Sequence, residues 1–237
     1  KHLMNSKKSM YHKIFGIKNK TVIITGANGR IGKKIVSVFK RLGAKVISID
    51  LNKKNYSEFK NLKNKNKNEI KFFADISKKS HVQEVLSFIK KKKLKIDVLI
   101  NSHQIKPDGF LTNKPEKFNE ELWDKIIRVN LTGTFLTCKY FGGLMIKQNK
   151  GSIINLGSTY GSVSSNSSLY KDLDFGNPVA YTASKGGVSS LTKYLAAHWG
   201  KNNVRVNCLI PHGVENNQSK VFIDRLFKGF RNGCKYY

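Results

Sequence analysis

Tyr181 and Lys185 have the side-chain types and the spacing of an acid–base pair. They stand four residues apart in the stretch YTASK, so on a helix their side chains lie on one face. A phenol with an unperturbed pKa near ~10 is a poor acid at neutral pH, but a nearby ammonium favours the phenolate and lowers that pKa. Such a pair is also common as an ordinary surface pair. Ser158, which ends an apolar stretch upstream, adds a third polar group where ligands bind in parallel sheets.

A glycine-rich turn in the stretch TVIITGANGRIGKKI, residues 21–35, has the form of an anion site. Gly26, Gly29 and Gly32 recur every third residue, and a helix that begins near Asn28 would point its free amides at a bound phosphate. Asp50 follows the next apolar stretch, where a carboxylate can accept hydrogen bonds from ribose hydroxyls. An ordinary packing turn and a solvated strand-end aspartate are the alternatives.

Strands and helices must alternate to bring these residues to one edge of a sheet. Six apolar stretches predict strands, and they lie at residues 22–24, 45–49, 70–74, 97–101, 152–156 and 204–210. Amphipathic segments between them predict helices, and we expect a three-layer, doubly wound α/β Rossmann fold with a parallel sheet of six recognisable strands. The Lys/Asn-rich tract Lys53 to Asn68 is interpreted as a solvated helix and loop.

The composition narrows the class of protein. The chain has 237 residues, 44 of them basic and 15 acidic, for a net charge of +29. The basic residues are mostly lysine and are scattered along the chain, so we expect no specific nucleic-acid binding. Three cysteines, Cys138, Cys208 and Cys234, are too few and too distant for a disulfide framework or a metal site, which favours the cytoplasm. No apolar stretch reaches the ~20 residues of a membrane span.

With these motifs in order, the chain resembles the short-chain dehydrogenase/reductase family, in its compact single-domain branch, from Lys20 to about Gln218. The motifs that carry the resemblance are TGANGRIG at 25–32, Asp50, Asp75, DVLINS at 97–102, VNLTG with Asn130, INLGS with Ser158, YTASK at 181–185 and RVNCLIPHG at 205–213. We expect residues 20–237 to form one dinucleotide-binding and catalytic domain, preceded by a basic extension over 1–19.

The resemblance implies a catalytic role for four residues. Tyr181 would exchange a proton with the substrate oxygen while hydride moves between nicotinamide and carbon. Lys185 would tune that tyrosine and bond the nicotinamide ribose, Ser158 would hydrogen-bond the substrate oxygen, and Asn130 would hold the water that links Lys185 to solvent. Together with Tyr160, the residues Ser158 and Tyr181 are expected to bind the substrate, a small molecule.

The resemblance also implies the cofactor. Asp50 would repel a 2′-phosphate, and Leu51 stands where arginine often binds that phosphate, so NAD is expected in preference to NADP, although Lys53 and Lys54 weaken the distinction. The residues expected to contact the cofactor are Gly26, Asn28, Gly29, Arg30, Ile31, Gly32, Asp50, Asp75, Ile76, Asn101, Ser102, Tyr181, Lys185, Pro211, Gly213 and Val214. No metal is expected.

The chain departs from the family pattern at several positions. Arg30 takes the place of a usual glycine, so its side chain must point away from the pyrophosphate or toward it. His103 is interpreted as a loop residue and not as a second catalytic base. Tyr160 and Tyr170 are expected to shape a polar substrate pocket. The family's seventh strand is not recognisable, so we expect a truncated C-terminus and an exposed edge at the sixth strand. The resemblance implies a homodimer or homotetramer, and the missing part commonly supplies a subunit interface in the family.

Two functions follow. The first is an NAD-dependent oxidoreductase acting on a hydroxyl or carbonyl of a polar metabolite, in a context resembling bacterial surface-glycan or flagellin modification. The second is a nonenzymatic scaffold that binds a nucleotide or polyanions without turnover.

Overall fold

A single twisted sheet forms the middle layer of the protein. In the computed structural model, residues 16–51, 60–62, 68–110, 115–164, 167–171, 176, 178–214 and 220–231 are described. The strands are β1 (Thr21–Thr25), β2 (Lys45–Asp50), β3 (Lys60–Leu62), β4 (Glu69–Phe73), β5 (Val98–Asn101), β6 (Gly151–Leu156) and β7 (Val204–Leu209). Their spatial order is β3-β4-β2-β1-β5-β6-β7. All pairs are parallel except β3 with β4.

The predicted six-stranded parallel sheet is confirmed, and β3 is an addition that the sequence did not reveal. This short strand lies in the Lys/Asn-rich tract, where a helix and a loop were predicted, so that part of the prediction was wrong at Lys60–Leu62. It pairs antiparallel with the outer edge of β4, whose backbone groups would otherwise lack strand partners. The rest of the tract, residues 53–59 and 63–67, lies outside the described residues, as do residues 1–15 of the predicted extension.

Helices cover both faces of the sheet. They are α1 (Arg30–Arg41), α2 (Lys79–Lys91), α3 (Glu120–Ile127), α4 (Gly133–Thr137), α5 (Gly143–Lys147), α6 (Val179–Trp199) and α7 (Lys220–Arg231). The helices α3, α4 and α5 form one helical stretch, in which π-helical turns at Arg128–Thr132 and Cys138–Gly142 join them. Such turns are often found at functional sites.

The apolar residues of β1 show why both faces are covered. Ile23 packs into the cluster with α2, whereas Val22 and Ile24 pack on the other face against α1. All three side chains have no exposed surface. Successive strand residues point to opposite faces, so a strand that is apolar throughout requires a helix layer on each side.

A row of buried polar side chains crosses the sheet near the carboxyl ends of its strands, and we call it the polar ladder. Thr25 of β1 donates to Asn101 Oδ1 of β5 at 3.2 Å, and Asn101 Nδ2 donates to Asn155 Oδ1 of β6 at 2.9 Å. Asn155 Nδ2 then donates to Thr192 Oγ1 of α6 at 2.9 Å. Because these groups are buried, the first two hydrogen bonds fix the relative height of neighbouring strands, and the third ties β6 to α6.

Two predictions concern the limits of the fold. Among the described residues, none of the helices has the length and apolar character needed to cross a bilayer. In the same part of the chain, β7 is the last strand at its edge of the sheet, where Leu209 is 56% exposed. The expectation of a truncated C-terminus stays a prediction.

Candidate active site

A cavity of about 620 Å³ opens at the carboxyl edge of the sheet. It is bordered by the glycine turn, by the segments that follow β2, β4, β5, β6 and β7, and by α6. Most of the predicted site residues line it, namely Gly26, Asn28, Gly29, Arg30, Ile31, Gly32, Asp50, Asp75, Ile76, Ser102, Ser158, Tyr160, Tyr181, Lys185, Pro211, Gly213 and Val214. Parallel sheets of this order bind their ligands at this edge.

The glycine turn has the shape of a dinucleotide cradle. Gly26 has φ +65°, a conformation that favours glycine, and a Cβ there would lie 2.6 Å from the Cα of His103. Asp50 Oδ2 accepts a hydrogen bond from the backbone N–H of Asn28 at 2.6 Å. The turn, the start of α1 and this carboxylate therefore fit the pyrophosphate and the ribose of a dinucleotide.

Arg30 faces the cavity. It is the first residue of α1, its side chain is exposed, and it lines the cavity beside Gly29. This position is on the side of the turn where a pyrophosphate would bind, and the direction of the guanidinium stays a prediction. Its positive charge adds to the partial charge of the helix N-terminus there.

Ser158, Tyr181 and Lys185 meet at the other half of the cavity. Ser158 directly follows the loop after β6, and its Oγ hydrogen-bonds the hydroxyl of Tyr181. Lys185 is 3% exposed, and its Nζ donates to the carbonyl of Leu156 at 2.7 Å. That Nζ lies 5.8 Å from the centre of the Tyr181 ring. The structure thus brings together three of the four predicted catalytic residues.

The electrostatics of Tyr181 differ from the prediction. Burial raises the pKa of Tyr181 above that of a free phenol, and the Ser158 hydrogen bond offsets this only in part. The predicted lowering of this pKa by Lys185 is therefore wrong. The reason is geometric, because Lys185 lies against the ring and donates to Leu156. Burial also lowers the pKa of Lys185 to about 8, so the ammonium loses its proton before the phenol titrates.

Asn130 and Asn101 are predicted site residues that do not line the cavity. Asn130 is 1% exposed; its Oδ1 accepts from the N–H of Ile105 at 3.0 Å, and its Nδ2 donates to Ser184 Oγ at 3.2 Å. The Ser184 hydroxyl in turn donates to the carbonyl of Tyr181 at 2.8 Å. Asn130 thus positions α6 through Ser184, while Asn101 belongs to the polar ladder beneath the site.

His103 is buried beside the cavity. Its Nδ1 lies 2.6 Å from Thr25 Oγ1, and its Nε2 lies 3.2 Å from Thr134 Oγ1. Burial and the charge of Lys185 lower the pKa of His103 to about 3. The residue is a neutral bridge between β1 and α4. The sequence predicted a loop residue, and the structure adds that its side chain is buried.

The pH dependence of stability should report on His103. An unfolded histidine titrates near ~6.5, so below that pH the unfolded chain takes up a proton that the folded protein refuses. Between pH 7.5 and pH 5, the free energy of unfolding of the wild type should therefore fall by about 2 kcal/mol more than that of His103→Gln. Urea unfolding measures the difference. His198→Gln, at an exposed site on α6, is the control, and an equal pH dependence in His103→Gln and wild type would contradict the assignment.

Aromatic side chains form the wall near Tyr181. Phe110 packs edge-on against Tyr181 with ring centres 5.9 Å apart, and Tyr170 packs against Phe222 of α7 at 5.5 Å. Phe110 and Phe222 were missed by sequence reasoning, since nothing in the sequence relates these distant segments to the site. Phe110 is the one Phe, Tyr or Trp residue of the loop 102–115, and that is the signal that was available.

Comparison with known proteins decides the family. The sequence profile described as short chain dehydrogenase matches residues 20–224. The protein belongs to the short-chain dehydrogenase family. An uncharacterized oxidoreductase of Bacillus subtilis, YxbG, is 36% identical over 200 residues, 84% of this chain and 68% of that protein. An NAD-dependent glycerol dehydrogenase of Listeria innocua is 34% identical over 201 residues, 85% of this chain and 73% of that protein.

A solved structure agrees with this assignment. A short chain dehydrogenase from Leptospira borgpetersenii with bound NAD+ superposes with a TM-score of 0.76 at 31% identity, covering 87% of this chain and 76% of that one. The predicted family and the predicted fold are confirmed. As a member of this family, the protein is an oxidoreductase acting on alcohol or ketone groups.

Proposed function

We propose that this short-chain dehydrogenase is NAD-dependent and interconverts a hydroxyl and a carbonyl group of a polar metabolite. The observation that carries the proposal is the meeting of Ser158 and Tyr181 with the glycine turn and Asp50 in one cavity. A scaffold that only binds nucleotides would not need two hydroxyl groups beside a buried lysine. Purified protein given NAD+ and a panel of secondary alcohols and sugar alcohols should form NADH, which absorbs at a wavelength where NAD+ does not.

The chemistry divides between the two halves of the cavity. Bound NAD+ would supply the hydride acceptor, which takes the hydrogen and its electron pair from the carbinol carbon. Ser158 and Tyr181 hold the substrate oxygen between them. In its phenolate form, Tyr181 takes the hydroxyl proton as the C=O bond forms, and in the reverse reaction the protonated phenol returns a proton to the carbonyl oxygen. The Leu156 carbonyl and α6 hold Lys185 beneath Tyr181.

The proposed NAD preference rests on Asp50. Its carboxylate is held at the glycine turn by the N–H of Asn28 and by that of Leu51, so it is in place to accept from a ribose 2′-hydroxyl and to repel a 2′-phosphate. Arg30 lines the same cavity and would act on the phosphates of either cofactor.

Asp50→Asn should reduce the preference for NAD+. The amide keeps an acceptor for the Asn28 N–H and loses the charge, so the ratio of NADP+ to NAD+ affinity should rise roughly tenfold. Calorimetric titration with both cofactors measures the ratio. Asp97→Asn is the matched control, because Asp97 accepts from the N–H of Thr21 at the opposite, amino-terminal edge of the sheet. An unchanged ratio in Asp50→Asn would show that Asp50 does not select the cofactor.

The proposed substrate is a sugar or sugar derivative of the kind found in bacterial surface-glycan or flagellin modification. Support comes from the GxxGxxG spacing of the turn and from the tyrosine hydroxyls in the cavity. Loss of a surface glycan in a deletion strain, restored by the intact gene and not by a Tyr181→Phe copy, would support this context; an unaltered glycan would contradict it.

We also propose a homodimer or homotetramer of single-domain subunits, residues 20–237, in the cytoplasm. The helices carry large exposed apolar side chains, including Phe135 at 43% and Tyr194 at 61% exposed, that a second subunit could cover. Cys138 and Cys208 are free thiols, as in reducing compartments. Sedimentation velocity that finds only a monomer would contradict the assembly.

A further inference from the structure

Two tyrosine hydroxyls form a pair in the cavity, and we call Tyr160 and Tyr170 the tyrosine pair. The Tyr170 hydroxyl donates to that of Tyr160 at 3.1 Å, and both side chains are half-buried. The Tyr170 ring packs on Phe222 of α7, and Arg225 of the same helix donates to the carbonyl of Lys171. The segment that carries Tyr170 is therefore held against α7.

The tyrosine pair adjoins the groups that handle the reacting oxygen. The backbone N–H of Tyr160 donates to Ser158 Oγ at 3.3 Å, so its position is tied to that of Ser158. Tyr160 and Tyr170 line the same cavity as Tyr181, and Tyr160 is close enough to raise the pKa of Tyr181. Four hydroxyl groups thus converge within one part of the site.

The chemistry of the tyrosine pair suits a neutral hydroxyl group. Burial and the neighbouring Tyr160 raise the pKa of Tyr170, so the phenol stays protonated. The hydroxyl proton of Tyr170 forms the hydrogen bond between the two oxygens. Tyr160 therefore keeps its own proton to donate and a second lone pair to accept with. An alcohol group also donates and accepts, whereas a carboxylate or phosphate only accepts and calls for a cation.

Among the described residues, the carboxylates that line the cavity lie in its other half. Asp50 and Asp75 follow β2 and β4, on one side of β1, whereas Ser158 and the tyrosine pair follow β6, on the other side.

Among the described cations that line the cavity, Lys106 is exposed to solvent, Arg30 lies at the glycine turn, and Lys185 donates to the carbonyl of Leu156. On the β6 side, the described groups beside the reacting oxygen are hydroxyl groups and aromatic rings, together with Lys185 and His212. The Nδ1 atom of His212 lies 3.0 Å from Thr159 Oγ1.

We propose that the tyrosine pair recognises a second hydroxyl group of the substrate, so that the preferred substrate is a neutral polyol and not a monohydric alcohol or a hydroxy acid. This inference rests on the proposed function, since it concerns the same cavity. It assigns the two phenols to selection of the substrate, while Ser158 and Tyr181 carry out the reaction.

Three four-carbon alcohols with a carbinol at the second or third carbon test the inference. We expect kcat/KM with NAD+ to be at least about tenfold higher for butane-2,3-diol than for butan-2-ol or 3-hydroxybutanoate. Tyr160→Phe and Tyr170→Phe should each lower the ratio of diol to butan-2-ol by roughly threefold to tenfold, the effect of one lost hydrogen bond. Tyr194→Phe, at an exposed site on α6, should leave the ratio unchanged. Equal kcat/KM for the diol and butan-2-ol would overturn the inference.

A binding measurement keeps the inference separate from the proposed function. In saturation-transfer NMR with equimolar butane-2,3-diol and butan-2-ol, wild-type protein should transfer more magnetisation to the diol, and a variant lacking both hydroxyl groups of the tyrosine pair should not. Preference for the diol without turnover of any alcohol would contradict the proposed function and support the polyol subsite. Equal transfer in the wild type would contradict the subsite even if turnover is found.

Discussion

Replacing Tyr181 with phenylalanine is expected to lower kcat by roughly 10²- to 10⁴-fold, the range of a lost general acid–base. Phenylalanine keeps the ring that packs against Phe110 and removes only the hydroxyl group that Ser158 contacts. The affinity for NADH should therefore stay within about threefold of the wild type, since the lost hydroxyl group contributes less than one full hydrogen bond to cofactor binding. Steady-state NADH formation and calorimetric titration measure the two quantities.

The matched control for this variant is Tyr194→Phe on the same helix. Tyr194 is exposed and stacks on His198, so losing its hydroxyl group should leave kcat unchanged. A second test is the pH profile. Because burial raises the pKa of Tyr181, alcohol oxidation, which needs a proton acceptor, should accelerate as the pH rises toward that pKa. Wild-type turnover by Tyr181→Phe, or a pH profile identical in both proteins, would exclude Tyr181 as the proton carrier.

Gly161→Ala is expected to have the second largest effect, although residue 161 carries no chemistry. A Cβ at this position would lie 2.5 Å from the backbone carbon of Lys185 and 2.7 Å from the backbone nitrogen of Gly186. These are backbone atoms of α6, so they cannot move aside as a side chain would. The turn Thr159–Gly161 would have to shift away from α6, and Ser158 would move with it.

Such a shift separates Ser158 from Tyr181 and Lys185. A displacement near ~1 Å can cost about 10²-fold in rate, so we expect kcat to fall by roughly 10- to 100-fold and the free energy of unfolding by about 1–3 kcal/mol. Steady-state kinetics and urea unfolding measure both. Gly143→Ala is the control, because a Cβ there meets nothing within 4 Å and alanine favours helices. Wild-type kcat in Gly161→Ala would show that the contact does not set the geometry of the site.

Features encoded by neighbouring residues could be predicted from the sequence. The glycine turn, the strand-end Asp50 and the Tyr181–Lys185 pair are short patterns, and all of these residues line the cavity. The alternation of apolar strands with helices likewise follows from local periodicity, and it predicted a parallel sheet covered by helices, although not the order of the strands. In these cases one segment of chain contains most of the information.

Features that depend on distant partners could not be predicted. Asn101 was expected to contact the cofactor, but it bonds Asn155. Asn130 was expected to hold a water, but it bonds Ser184. Both partners come from segments far away in the chain. The same is true of Lys185, whose Nζ donates a hydrogen bond to the carbonyl oxygen of Leu156, 29 residues earlier. The pKa of Tyr181 could not be foreseen either, because its main cause is burial, which a motif does not report.

The central place of β1 has a consequence for how the protein is made. This strand is synthesised before one of its two neighbours, β5, so Thr25 can pair with Asn101 only after 76 further residues have been added. Pairings so distant in sequence fold slowly. Until then the fully apolar run Val22 to Ile24 lacks the neighbour that shields one edge, and exposed strand edges of incomplete chains tend to aggregate. We therefore expect the nascent chain to depend on chaperones or on slow translation until β5 has been synthesised.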